Sequence, residues 1–258
     1  MSFFLRKRKY ARKHMFNQKT YSAINREERS FCFLLGHALL MSEQVRQGFA
    51  ELAEQKCKVN LDTGNLEVYV EAAALRDYWR DLGDPVEYND DTHQRRLAVL
   101  KLIFEKYQLS SDILEKHDVF WTTTKKLWNP NHWSIEGLKK AGLEQLIEVK
   151  WAFNSKPDIV LVSPESILVI EAKVESPEGC KADVEYTQFQ TQQLVGELWQ
   201  LLIPEFQDRN LVNAILNVSS SHGSIPVIQW SEIIALISGS DVDAFTKNAM
   251  TQLKRYYS

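Results

Sequence analysis

The chain has 258 residues, of which 44% are hydrophobic and 25% are charged. These fractions are ordinary for a globular protein, and they exclude a disordered, collagen-like or disulfide-stapled chain. Membrane spans need about 18 uncharged apolar residues in a row, and because no stretch of this chain approaches that length we expect no membrane partner. The start of the chain lacks the apolar run of a secretory signal, and the cysteines at 32, 57 and 180 are scattered. We therefore expect a reducing, cytoplasmic setting.

Residues 1–19, the basic arm, carry seven Lys or Arg residues and no acid, whereas residues 20–258 have a net charge of −10. Lys and Arg bind nucleic acid by releasing counterions from its phosphates. Such an arm serves equally well as a solubilising or partner-docking tail, so both roles stay open. The cations that would contact nucleic acid are Arg6, Lys7, Arg8, Lys9, Arg12 and Lys13.

Residues 20–125 predict a helical domain. Asn25 and Glu28 have capping-box spacing, and a long helix with apolar residues at helical intervals follows as far as Leu52. The segments EAAALRDYWRDL, HQRRLAVLKLIFEKYQL and SDILEKH predict three more helices. The first helix is apolar on more than one face, which favours core packing or contact with a protein partner or a second copy.

Residues 126–258 predict a second domain with strands. SIEGLKKAG, at 134–142, has the caps of a short helix, and three runs with the composition of strands follow it: LIEVKWAF, DIVLV and ILVIEAKV. A helix over roughly 185–203, the strands AILNV and PVIQW, and helices over 231–237 and 242–256 complete the chain. The order α-β-β-β-α-β predicts an α/β fold around a mixed sheet.

The segment KPDIVLVSPESILVIEAK contains the residues that are candidates for catalysis. A four-residue turn places Val162 opposite Ile167 and Val160 opposite Val169 in an antiparallel hairpin. The same register places Asp158 opposite Glu171, with β-carbons about 5 Å apart. Lys173 shares the face of Glu171.

Two carboxylates so close together repel each other unless a cation lies between them. Within apolar strands a divalent ion with oxygen ligands, Mg²⁺ or Mn²⁺, satisfies both, and Lys173 then orients or helps to deprotonate a water. The simpler alternatives are a turn-capping role for Asp158 and a cross-strand salt bridge between Glu171 and Lys173.

Pro157-Asp158, thirteen residues before Glu171-Ala172-Lys173, resembles the motif of the PD-(D/E)XK nuclease superfamily. The resemblance implies a restriction-endonuclease-like α-β-β-β-α-β core. It also implies that Asp158, Glu171 and the carbonyl of Ala172 hold the metal and that Lys173 assists the attacking water.

Many members of the superfamily add an acid on the helix before the first strand and a glutamine on the helix after the lysine strand. The resemblance gives Glu136 as the acid, with Glu144 as second choice. Gln188, Gln192 and Gln193 compete for the glutamine, and Gln192 is favoured. Trp121, Trp128 and Trp133 stack on bases or pack in a core, and core packing is favoured.

The resulting hypothesis is a metal-dependent DNA nuclease, with endonuclease action favoured and RNA left open as substrate. By analogy it is a subunit of a bacterial defence or mobile-element system, with a protein partner or a second copy on its helical region. Two alternatives stay open: an inactive nuclease-fold subunit that binds nucleic acid or protein, and an unrelated interaction protein with a coincidental motif.

Overall fold

The computed structural model describes residues 28–83, 88–174, 188–218 and 225–256. The basic arm and the expected capping residue Asn25 lie outside the described residues. No helix in the described part of the chain combines the length and the apolar character needed to cross a membrane.

The described residues form an α/β structure with helices before, within and after the strand region. The strands are β1 (Glu67–Val70), β2 (Ile159–Val162), β3 (Ser166–Ala172), β4 (Asn210–Asn217) and β5 (Val227–Gln229). The helices are α1 (Glu28–Met41), α2 (Glu43–Cys57), α3 (Ala74–Asp81), α4 (Asp90–Lys106), α5 (Ile113–Lys116), α6 (Ile135–Lys140), α7 (Ile147–Asn154), α8 (Gln188–Leu202), α9 (Trp230–Gly239) and α10 (Ala244–Thr251).

Internal contacts divide the described residues into two compact units. The sheet unit contains residues 28–71, 158–174, 210–218 and 225–256, and the helical unit contains residues 72–83, 88–157 and 188–209. The chain thus leaves the sheet unit after β1 and returns to it just before β2. It leaves again between β3 and β4, because α8 belongs to the helical unit. The predicted domain boundary at residue 125 stays a prediction.

The sheet unit is built on a mixed five-stranded sheet in the order β1-β2-β3-β4-β5. β1, β2 and β3 pair antiparallel, whereas β4 is parallel to β3 and β5 is parallel to β4. Every residue of β2 and β3 is buried, as expected of apolar central strands. The predicted α/β class and mixed sheet are confirmed.

One hydrophobic core joins the sheet to the helices of the sheet unit. Alternate residues of the central strands, Ile159 and Leu161 on β2 and Leu168 and Ile170 on β3, face this core, because successive side chains of a strand point to opposite faces. Residues of α1, α2, α9 and α10 complete it, including the fully buried Trp230. Burial of this apolar surface is the main force that holds the sheet unit together.

The helical unit has its own aromatic packing. The ring of Phe120 packs edge-on against both Phe104 and Trp133, at centroid distances of 5.3 and 5.2 Å. The favoured core role of Trp133 is therefore confirmed. Trp79 packs edge-on against Phe153 at 6.4 Å.

The segment LIEVKWAF was expected to be a strand and is instead helical, ending in α7. Its buried residues include Leu146, Val149 and Phe153, at intervals of three and four residues that match a helix. A short apolar run fits both periods, and tertiary packing selected the helix. The predicted helix over 134–142 is confirmed as α6, with the Ser134 hydroxyl accepting from the Gly137 N–H.

Two further differences concern the front of the chain. The single long helix is two helices, because Ser42 has an extended backbone and its hydroxyl caps α2 by accepting the Val45 N–H. The strand β1 was not predicted, although Val68 and Val70 alternate with exposed residues in the pattern of an edge strand. β1 is therefore the third antiparallel strand, in the place assigned to LIEVKWAF.

Candidate active site

The hairpin of β2 and β3 forms with the expected register. Val162 is opposite Ile167 and Val160 is opposite Val169. Asp158 immediately precedes β2, and its Oδ2 accepts a hydrogen bond of 2.8 Å from the backbone N–H of Ala172. The carboxyl groups of Asp158 and Glu171 hydrogen-bond to each other. The predicted juxtaposition of Asp158 and Glu171 is therefore present.

Lys173 completes the predicted trio. It follows the last residue of β3 and its ammonium contacts the Glu171 carboxylate. Two hydrogen bonds hold the backbone of Lys173. Its N–H donates to the Leu216 carbonyl at 2.8 Å, and its carbonyl accepts from Trp230 Nε1 at 3.1 Å. Asp158, Glu171 and Lys173 are respectively 7%, 1% and 8% exposed. Three ionisable groups are thus held together in a nearly buried position.

A fourth ionisable residue, Glu28, joins this group. It is the first residue of α1, and its carboxylate accepts the N–H of Val174 at 2.8 Å and lies 3.8 Å from Lys173 Nζ. The sequence marked Glu28 only as half of a capping box. The sequence feature that could have identified Glu28 is its place as an acid at the start of the first apolar helix.

The pKa values of the acids reflect burial of like charges. Burial, followed by the charge of Asp158, raises the pKa of Glu171 to about 8. Burial also raises the pKa of Asp158 and of Glu28 above their ordinary values. Burial thus shifts all three carboxyls toward the protonated form, and the positive charge of Lys173 only partly opposes this shift.

For Lys173 the site favours the charged form. Burial by itself would lower its pKa, but the charges of Glu171, Glu28 and Asp158 outweigh burial and raise that pKa. Lys173 is thus an ammonium ion at neutral pH. Close by, burial and the same three acids raise the pKa of the Cys32 thiol well above its ordinary value, so that Cys32 is not a thiolate.

The other predicted residues belong to the helical unit. Glu136 is exposed in the first turn of α6, where it pairs with Lys140 at 2.8 Å. The second-choice acid Glu144 is exposed as well. Gln192 is 1% exposed on α8, whereas Gln188 and Gln193 are exposed on the same helix. The acid that joins the trio within the sheet unit is Glu28, at the start of α1. A catalytic role for Glu136 stays a prediction.

No protein-family model, no curated protein and no solved structure matches this chain.

Proposed function

We propose that the chain is a metal-dependent nuclease that hydrolyses phosphodiester bonds of DNA, built on a restriction-endonuclease-like core. One observation carries the proposal: Asp158, Glu171 and Lys173 meet in a nearly buried position at one end of the β2–β3 hairpin. The burial of three ionisable groups together is unfavourable for stability, and such a cluster commonly indicates a functional site.

The order of elements supports the same fold. Read along the chain, α1 and α2, β1, β2, β3, α8 and β4 repeat the α-β-β-β-α-β order of the superfamily, with residues 72–157 inserted between the first two strands. The antiparallel β1–β2–β3 arrangement followed by a parallel β4 agrees with this reading.

The site suits a hard divalent cation in its donor atoms and its charge. Ionised Asp158, Glu171 and Glu28 with protonated Lys173 leave a formal charge of −2, which Mg²⁺ or Mn²⁺ would neutralise. In the described part of the chain no set of three or more His, Cys, Asp or Glu side chains forms a ready-made metal cluster. Mg²⁺ requires fewer, since it takes one or two carboxylates and keeps several waters. Asp158 and Glu171, with the Ala172 carbonyl that the resemblance adds, would hold it.

When bound, such an ion supplies Lewis acidity and lowers the pKa of water. The side chains of the protein supply position and charge. The Ala172 N–H orients Asp158, and Glu171 and Glu28 orient the ammonium of Lys173. Because its pKa is raised, Lys173 donates hydrogen bonds to water or to a phosphate oxygen and stabilises the negative charge that develops there. Gln192 stays a predicted supporting residue.

The primary experiment measures cleavage of supercoiled plasmid and of single-stranded DNA with Mg²⁺, with Mn²⁺ and with EDTA. Wild type is expected to cut only with metal. Lys173→Ala is expected to lower the rate by about 10² to 10⁴, the range for a group that acts in the transition state. Equal cutting by both proteins would place the activity elsewhere. Binding of Mn²⁺ that Asp158→Asn abolishes, without cutting, would instead support an inactive nuclease-fold subunit.

A matched pair of variants distinguishes the two acids. Glu28→Gln keeps an acceptor for the Val174 N–H and removes the charge beside Lys173, so cleavage is expected to fall by about 10- to 100-fold. Glu136→Gln affects only an exposed ion pair and should leave the rate unchanged. If Glu136→Gln lowers the rate and Glu28→Gln does not, Glu136 is the catalytic acid.

A further inference from the structure

A cleft lined by cationic and aromatic side chains lies entirely within the helical unit. It has a volume of about 340 Å³ and its lining includes Trp79, Arg96, Thr122, Lys126, Trp128 and His132. None of the described residues that line it is acidic. This volume lies within the usual range for small-molecule sites.

Arg96 is the charged centre of this cleft. It is 6% exposed, and its guanidinium carbon lies 5.3 Å from the ring centre of Trp79 and 5.4 Å from that of Tyr88. One terminal nitrogen donates to the Gly83 carbonyl at 3.0 Å. Within the described ranges its Nε donates to nothing and no carboxylate pairs with it. A buried guanidinium keeps its charge, so Arg96 gives the cleft a positive charge that no carboxylate of the described residues balances.

Lys126 adds a second positive charge. Its Nζ lies 5.5 Å from the ring centre of Tyr88, and no ion pair involves it in the part of the chain that the structure describes. Arg80, also in the lining, is instead neutralised by Asp77 and Asp81. Among the described residues that line the cleft, Arg96 and Lys126 are therefore the cations that no acid neutralises.

Aromatic surface accompanies the charge. Trp128 is half-buried, and its ring lies 5.3 Å from that of the exposed His132. An indole on the rim of a positively charged cleft suits a flat ring attached to an anion, because bases stack on aromatic side chains while Arg and Lys hold phosphate.

We propose that this cleft binds a nucleotide, with its phosphate on Arg96 and Lys126 and its base on Trp128 and His132. The proposal does not depend on the nuclease function, since all the residues that carry it belong to the helical unit. The nucleotide is either free or the phosphorylated end of a strand.

The test is calorimetric titration of the full-length protein in EDTA with adenosine monophosphate, adenosine, inorganic phosphate and a 5′-phosphorylated dinucleotide. Adenosine monophosphate is expected to bind about tenfold more tightly than adenosine or phosphate alone, because each of those lacks one half of the contacts. Tighter binding of the dinucleotide would identify a strand end as the source, and equal or weaker binding would identify a free nucleotide.

Variants locate the site. Arg96→Met and Lys126→Gln are each expected to weaken nucleotide binding by about tenfold, and Trp128→Leu by a similar factor. Lys125→Gln is the matched control, because Lys125 is the neighbouring lysine, exposed and paired with Asp118, and it should bind as wild type does.

If Arg96→Met does not fold, as judged by circular dichroism, Lys126→Gln and Trp128→Leu decide the question. The proposal is overturned if wild type binds neither nucleotide, or if Lys126→Gln and Lys125→Gln bind with equal affinity.

Discussion

Glu171 shows how a single buried carboxyl links stability to pH. Its pKa rises from 4.5 to about 8 on folding, first because of burial and then because of Asp158. Between these two values the folded chain holds a proton that the unfolded chain has released. The free energy of unfolding therefore falls as the pH rises through this window.

The prediction concerns Glu171→Gln, which cannot lose a proton. From about pH 5 to about pH 8 in EDTA, wild type is expected to lose roughly a few kcal/mol of stability and Glu171→Gln much less. The measurement is urea unfolding at a series of pH values.

Glu165→Gln is the control for this series, because Glu165 is exposed in the turn of the same hairpin and should follow wild type. If Glu171→Gln loses as much stability as wild type, Glu171 is ionised in the folded protein throughout. Asp158 and Glu28 contribute in the same direction, since the pKa of each is raised.

At the scale of elements, the packing of α1 on β1 positions Glu28. Gly36 lies in the middle of α1, and a β-carbon added there would lie 2.7 Å from Cγ2 of Val70 on β1. Real β-carbons do not approach other atoms so closely, so a side chain at this position would push the helix away from the strand. The close approach explains why glycine occupies a helix interior, where it is otherwise unfavourable.

Gly36→Ala is predicted to lower the free energy of unfolding by about 1–3 kcal/mol, although alanine favours helices. Urea unfolding measures the effect, and cleavage should fall with it because Glu28 is displaced. Gly239→Ala is the control, since a β-carbon there meets no atom within 4 Å. The double variant Gly36→Ala, Val70→Ala should recover stability relative to Gly36→Ala; without recovery, the contact with Val70 is not the cause.

For the whole molecule, the distribution of charge poses the main question. The basic arm precedes a body with a net charge of −10, and an acidic body by itself repels DNA. The arm is therefore the natural source of attraction, unless a protein partner delivers the substrate.

Removal of residues 2–19 is predicted to weaken DNA binding at low salt. The slope of log affinity against log salt should become shallower, by about 0.9 for each lysine or arginine that contacts a phosphate. Fluorescence anisotropy of labelled duplex over a salt series measures both quantities.

A variant that replaces only the aromatic residues of the arm with serine is the control, and it should keep the wild-type slope. Those residues are Phe3, Phe4, Tyr10 and Phe16. An unchanged slope after deletion of the arm would instead favour its role as a solubilising or partner-docking tail.

The sequence by itself determined the β2–β3 hairpin and the pairing of its ends. A four-residue turn and strict alternation leave one register that buries the apolar residues, so Asp158, Glu171 and Lys173 followed from local rules. The helix α6 also followed from local signals, because Ser134 caps its first turn.

Only the tertiary structure decided which distant residues join this hairpin. Glu28 and Val174 are 146 positions apart, and β1 is separated from β2 by residues 72–157. Local periodicity contains no information on such contacts, because they depend on how apolar faces pack once the elements exist. For the same reason the sequence could not separate strand from helix in LIEVKWAF, whose apolar residues satisfy both periods until a core selects one of them.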